Sequence, residues 1–305
     1  MTGAPSSSPL PGPTPVTASA PSPGASQGGG IRIVRRIFSW RVWSPLVYGA
    51  VAVIGGYLFL YELGVLGVYR LSYATLILPG IVRGFYVSLE LVAVYIPIGF
   101  GVGFVVGWAR TTQSVILRGL GGVYVDFFRS MPPLALIFFA SLIGAVALKS
   151  TSLDPYTQHS ITLWLGVVAL GLHTGGYQAE IVRAGILSVP AGQTEAADAL
   201  GIPRLRTMFS VVLPQAFRVS LPPLANEFSS VIKDSAYLAV IGWFELAGAG
   251  FSYASETFRY HYPEAALVTW FEVALLFFVL TYIVTRTLRG IEDAFRVPGL
   301  EAAAL

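Results

Sequence analysis

Seven polar side chains sit where a polar side chain is costly. Glu90, Lys233, Asp234, Glu245 and Glu272 interrupt otherwise apolar stretches of 18 or more residues, and His173 and Asn226 lie in the same kind of surroundings. An ionisable group inside a membrane span costs several kcal/mol unless it is paired or faces a cavity. Such residues are therefore either structural, pairing between helices or reaching the interface, or they line a path for a polar solute. Glu90, His173, Asn226 and Lys233 are the candidates for the path, because an acid and a base together suit a zwitterion. Lys233 and Asp234 are adjacent, about 100° apart around a helix, so each points to a different neighbour.

Other chemistry is excluded or unsupported. The chain has no cysteine, which removes thiol nucleophiles, disulfides and cysteine-ligated metals. His159, His173 and His261 show no metal-ligand spacing, and no HExxH motif or Ser/His/Asp grouping falls in the apolar runs. Neither a metal nor a cofactor is expected, nor an enzyme. No GxxxxGK[ST] phosphate loop is present, so the chain is not itself an ATP hydrolase. A net charge of +3 with scattered arginines gives no footprint for nucleic acid.

The elements that must hold these residues are transmembrane helices. Only 11% of the 305 residues are charged, against about 25% in average soluble domains. A span needs roughly 20 mostly apolar residues. The runs Val42 to Tyr61, Gly84 to Ala109, Ser130 to Leu148, Pro155 to Ala179, about Leu221 to Ala247 and about Ala265 to Thr285 predict six spans. The fold class is therefore an all-α membrane protein, with both termini on one side. Basic residues orient it. With the N-terminus in the cytoplasm, Arg32, Arg35, Arg36, Arg41, Arg110, Arg118, Arg129, Arg183, Arg204, Arg206, Arg218, Arg286, Arg289 and Arg296 fall inside. Only Arg70, Arg83, Lys149 and Arg259 fall outside. Residues 1–30 carry no charge and are rich in Pro, Ser and Gly, so they read as a disordered cytoplasmic tail. The two halves show no self-similarity of the kind common in secondary transporters.

Between the fourth and fifth spans, on the expected cytoplasmic side, stands GQTEAADALGIPRLRTMFSVVLPQAF, residues 192–217. Thr194 is expected to cap a short helix, with Glu195 in its first turn. Gly201 is the expected left-handed stop. Pro203 is expected in the first turn of a second helix, with Leu213 and Pro214 closing the unit. Glu180 and Arg183, three residues apart just before it, are placed to pair on a helix. The same caps and stops also serve an ordinary surface loop. Pro222 and Pro223, at the inner start of the fifth span, predict a bend there.

The pattern Glu195-Ala196-Ala197, Gly201, Leu213-Pro214 resembles the signature loop of ABC importer permeases. The blocks GGYQAEIVRAGILSVPAGQTEAADALGI, VVLPQAFRVSLPPLANEF and YVDFFRSMPPLALIFF are similar to the polar amino-acid branch, the histidine, glutamine and glutamate type. The resemblance runs from about Leu78 to Thr285. It implies a type I importer fold: a five-helix core over residues 78–290, an extra N-terminal helix and connection over 31–77, and a cytoplasmic tail over 291–305. It also implies a second permease subunit, identical or different, a cytoplasmic ABC ATPase, and an extracellular binding protein that delivers an amino acid. Glu195, Ala196, Ala197, Gly201, Leu213 and Pro214 would then form the coupling helix and its flank, docking into the ATPase. The alternative from another class is a secondary transporter or channel for small polar solutes that works without an ATPase. Two departures bear on cargo. Arg129-Ser130-Met131-Pro132 stands where the family usually has Arg-Gly-Thr-Pro, and Lys233-Asp234-Ser235-Ala236-Tyr237 where it has Lys-Asp-Thr-Ser-Leu.

Overall fold

The structure is a computed structural model that describes residues 44, 47–51, 53–58, 71–259 and 263–295. The expected N-terminal tail, most of the connection at 59–70 and the tail after 295 lie outside the described residues. The described parts of the first expected span are helical, and a Cβ built on Gly49 would stand 3.6 Å from the Tyr282 ring, so this helix packs near the last one.

The longest helix, α1 (Leu71–Ala109), begins thirteen residues before the apolar run predicted for it. It turns one row of small residues, Gly99, Gly103 and Gly107, onto α4 (Pro155–Leu187). A Cβ at Gly99 would fall 2.9 Å from the Gly171 carbonyl oxygen, and one at Gly107 would fall 2.5 Å from that of Ala179. Small residues let helix backbones approach where lipid gives no hydrophobic drive to association. Against both helices packs α2 (Val115–Ser130), capped by Ser114, whose side chain accepts from the Leu117 amide. The predicted spans leave most of this segment unassigned, between the second and the third. Its apolar residues are interspersed with Arg118, Asp126 and Arg129, which hid it from a search for uncharged runs. Met131 precedes Pro132 and takes the extended conformation that such a position favours, and α3 (Pro133–Leu148) leaves at 103° to α2. The predicted third span, starting at Ser130, is thus the second limb of a bent pair.

Helix α4 starts cleanly because Asp154 accepts from the Thr157 amide at 3.0 Å and from its hydroxyl at 2.6 Å. The Thr157 hydroxyl, with the backbone amide, holds the Asp154 carboxyl below its usual range. After α5 (Ala191–Ala199) and α6 (Arg204–Thr207), a π-helical turn, Met208–Val212, feeds α7 (Leu213–Asp234), which runs on through Pro222 and Pro223. The fifth expected span is not one helix. It gives way at Ser235 to a 3₁₀ segment, Ser235–Ile241, and Gly242 at φ +103° turns the chain before α8 (Leu246–Arg259). The search for apolar runs does not reveal such a break, since Ala236 to Ile241 is itself apolar and extends the run. The last helix, α9 (Pro263–Phe295), exceeds its predicted run at its C-terminal end.

Among the described residues there is no strand. Two helices, Tyr73–Ala109 and Ala265–Gly290, are long and apolar enough to cross a membrane on their own, and three spans result if the bent pair α2–α3 counts as one. The longest shared core joins Leu91 and Tyr95 of α1, Ile137 of α3, Val167 and Leu170 of α4, Val231 of α7 and Leu238. Tyr95 donates its hydroxyl hydrogen to the Val231 carbonyl at 2.5 Å, which satisfies the one polar atom of a fully buried ring.

Candidate functional site

The segment between α4 and α7 is a compact helical projection. Its first helix opens one turn earlier than expected. Pro190 occupies the N-cap, and Thr194 lies inside the helix with its hydroxyl donating to the Ala191 carbonyl at 2.7 Å. Glu195 is therefore mid-helix rather than in the first turn. Proline at 190 fixes the entry backbone without a side-chain cap, a possibility the Thr-Glu pair obscured. The expected stop is observed: Gly201 takes φ +69°. Its amide donates to Asp198 and the Ile202 amide to Ala197, the paired bonds that satisfy the last carbonyls of a helix. Nothing lies within 4 Å of a Cβ built there, so glycine is required by backbone conformation alone. Pro203 is the N-cap of α6 rather than a residue of its first turn. Leu213 and Pro214 do not close the unit; they follow the π-helical turn without a break and begin α7.

The projection has two faces. Ala197 is buried, while Glu195 and Ala196 are exposed. Leu200, Leu205 and Phe209 are 78%, 66% and 54% exposed, so three large apolar side chains stand open on one small unit. Beneath them Val212 and Ala216 pack on Val182 and Ile186 of α4, with Trp108 and Phe104 of α1 alongside. Glu180 and Arg183 pair as expected, with Arg183 Nε 3.0 Å from Glu180 Oε1. Sequence reasoning missed a third member: Arg110, at the end of α1, donates to the other oxygen of the same carboxylate. One carboxylate thus ties α1 to α4 at the base of the projection.

The four path candidates are not drawn into one cluster. Glu90 lies on the exposed row of α1. Asn226 and Lys233 share an exposed stripe of α7 with Val219, Pro223 and Ser230, at the alternating spacing of four and three that marks one helix face. His173 is buried on α4, its ring 5.4 Å from Tyr177, over which Arg129 stacks at 5.2 Å. Glu245, expected within a span, is an N-terminal cap of α8 instead. Its carboxylate accepts from the Gly248 amide at 2.8 Å and the Ala247 amide at 3.0 Å. Ser88 of α1 donates to the same carboxylate at 3.0 Å and accepts from the Leu246 amide. Glu272 is buried in α9.

Comparison with known proteins decides the assignment. The model of the family described as binding-protein-dependent transport system inner membrane component matches residues 96–297, which includes the projection and its flanking helices. The chain belongs to this family. The L-cystine transport system permease protein TcyB of Bacillus subtilis is 33% identical over 214 residues, covering 70% of this chain and 86% of that protein. The glutamine transport system permease protein GlnP of Escherichia coli is 30% identical over 220 residues, covering 72% and 94%. A solved amino acid ABC transporter with histidines superposes with a TM-score of 0.57 at 28% identity, covering 70% of this chain and 94% of that chain. The resemblance carried by residues 192–217 is thus borne out, as is the helical membrane class. Family members named in this way are permease subunits rather than enzymes.

Proposed function

We propose that the chain is the membrane-spanning permease subunit of an ATP-driven importer of a polar amino acid. The observation that carries this reading is the projection itself: a helix closed by Gly201, firmly packed underneath, with Leu200, Leu205 and Phe209 open on its outer face. Open apolar side chains of this size mark a surface that a partner covers. The partner is a cytoplasmic ABC ATPase, and Glu195, Ala196, Gly201 and the flank at Leu213-Pro214 form or support the contact. Ala197 anchors the helix from inside. The topology that fits is six spans with both termini in the cytoplasm: residues 42–61, α1, the bent pair α2–α3, α4, α7 with its 3₁₀ extension, and α9. A second permease subunit lies along the exposed stripe of α7, and an extracellular binding protein delivers cargo. Glu90, His173, Asn226 and Lys233 line the path, and Glu180 with its two arginines keeps the base of the projection in register.

Relatives are named for glutamine, cystine and arginine transport, so a polar amino acid is the cargo class. The test is reconstitution with an ABC ATPase subunit and a binding protein in liposomes, measuring entry of labelled glutamine, cystine and arginine. Uptake of one of them that requires ATP hydrolysis is the expected result. Uptake by the chain alone, without an ATPase, would transfer it to the class of secondary transporters and channels.

A further inference from the structure

Five aromatic rings run in contact from the exposed projection into the bundle. Phe209, in the π-helical turn, meets Trp108 edge to face, with centroids 5.6 Å apart. Trp108 lies 6.2 Å from Phe104, Phe104 lies 6.4 Å from Phe100, and Phe100 meets Phe228 of α7 at 6.3 Å. Phe100, Phe104 and Trp108 recur every fourth residue and so form one row along α1. That row lies beside the glycine row that fixes α1 to α4. Phe228 is the neighbour of Glu227 and stands two residues from Asn226. The rings therefore begin on the surface offered to an ATPase and end beside the exposed stripe of α7.

Helix α7 is held differently on its two sides. Toward α4 the contact is backbone-close. A Cβ on Gly185 would fall 2.9 Å from the Ala216 carbonyl and 2.0 Å from Ser220 Oγ, and Ser220 donates to the Ile181 carbonyl at 3.4 Å. Toward α1 there are rings, and a cavity of about 220 Å³ opens among the three helices, lined by Phe100 and Phe104 of α1, Val182 and Ile186 of α4, and Ala216 and Leu224 of α7 among others. Close-packed contacts pass a displacement on, whereas empty volume lets side chains shift. The backbone contact at Gly185 is the stiff side of α7, and the ring contacts with α1 are the side on which it can shift. A π-helical turn often marks a functional place in a helix, and here it carries the first ring of the series.

We propose that Trp108 is a positioning residue for transport, carrying displacement of the projection through Phe104 and Phe100 to Phe228 and the middle of α7. This rests on the importer reading. The test uses the full transporter, with ATPase and binding protein, in liposomes. It compares wild type with Trp108→Leu, Trp108→Phe and Phe100→Leu, reading basal ATP hydrolysis, cargo imported per ATP, and thermal midpoint. Trp108→Leu and Phe100→Leu should keep basal hydrolysis and midpoint while import per ATP falls roughly 2- to 30-fold, the range for residues lying between coupled sites. Trp108→Phe, which keeps a ring, should retain most of it. The proposal is overturned if both leucine variants import at the wild-type ratio, if hydrolysis and import fall in equal proportion, or if Trp108→Phe is as impaired as Trp108→Leu. Should Trp108→Leu not assemble, Phe100→Leu, remote from the projection, decides by the same criteria. A wild-type complex whose uptake ignores ATP would refute the importer reading and leave this ratio undefined, so the two failures are distinct.

Discussion

Adding one methyl group at Gly103 should loosen the helix pair on which the bundle is built. A Cβ there would stand 2.8 Å from the Gln178 Cβ, 3.0 Å from the Gly175 carbonyl oxygen and 3.1 Å from the Ala179 amide nitrogen. Two of these three atoms belong to the backbone of α4, which cannot rotate aside as a side chain does. The helices must separate by a few tenths of an ångström along the whole row from Gly99 to Gly107. Overpacking of this kind costs about 1–3 kcal/mol. Alanine regains roughly 1 kcal/mol of helix propensity over glycine, which confuses a reading of Gly103→Ala alone. Gly101, two residues away in the same helix, has nothing within 4 Å of its Cβ position and supplies the control. Propensity is common to Gly101→Ala and Gly103→Ala, so their difference isolates the packing term. It should be about 1–3 kcal/mol, or roughly 5- to 150-fold in the unfolding constant. Reversible unfolding in detergent or bicelles measures it. If Gly103→Ala proves as stable as Gly101→Ala, the close α1–α4 packing is not what holds these helices together.

Two other substitutions follow from the geometry. Glu245→Ala removes the acceptor of two buried amides and of Ser88, so stability should fall by about 1–3 kcal/mol, with Glu245→Gln milder because one oxygen still accepts; an unchanged thermal midpoint for the alanine variant would show that α8 needs no cap. Gly201→Val forces a branched side chain into the left-handed region at about 1–2 kcal/mol locally, while Gly201→Asn tolerates it. Membrane insertion should be unaffected in both, and pull-down of the ATPase should weaken only for valine; full assembly with valine would argue against a need for this turn.

What could be read from the sequence was set by which forces act locally. Apolar runs located the C-terminal end of α1 and the N-terminal ends of α4 and α9, because bilayer length and apolarity act on each segment separately. The turn at Gly201 was legible because only one residue type enters that conformation cheaply. The start of α5 was not: Thr194 and Glu195 make a plausible cap, but Pro190 fixes the backbone first. Helix α2 escaped because its charged residues broke the run, and the break at Ser235 escaped because the apolar residues 236–241 after it extend the run. Glu245 was expected inside the fifth span, because a sequence cannot show that Ser88, 157 positions earlier, shares its hydrogen bonds with α8. Arg110 was missed for the same reason, lying 70 residues from Glu180. The row Gly99, Gly103, Gly107 was a readable signal, since a four-residue repeat of glycine in an apolar helix marks a close helix contact.

The most direct measurement of the central claim uses the absence of cysteine from this chain. A single cysteine is placed at Ala196, which is exposed, or at Ala197, which is buried within the chain's own fold. Each variant is assembled with the ATPase and treated with a short thiol–amine cross-linker. The account predicts a permease–ATPase adduct from position 196 and little or none from position 197. Absence of an adduct at 196 in an assembled, ATP-hydrolysing complex would contradict it.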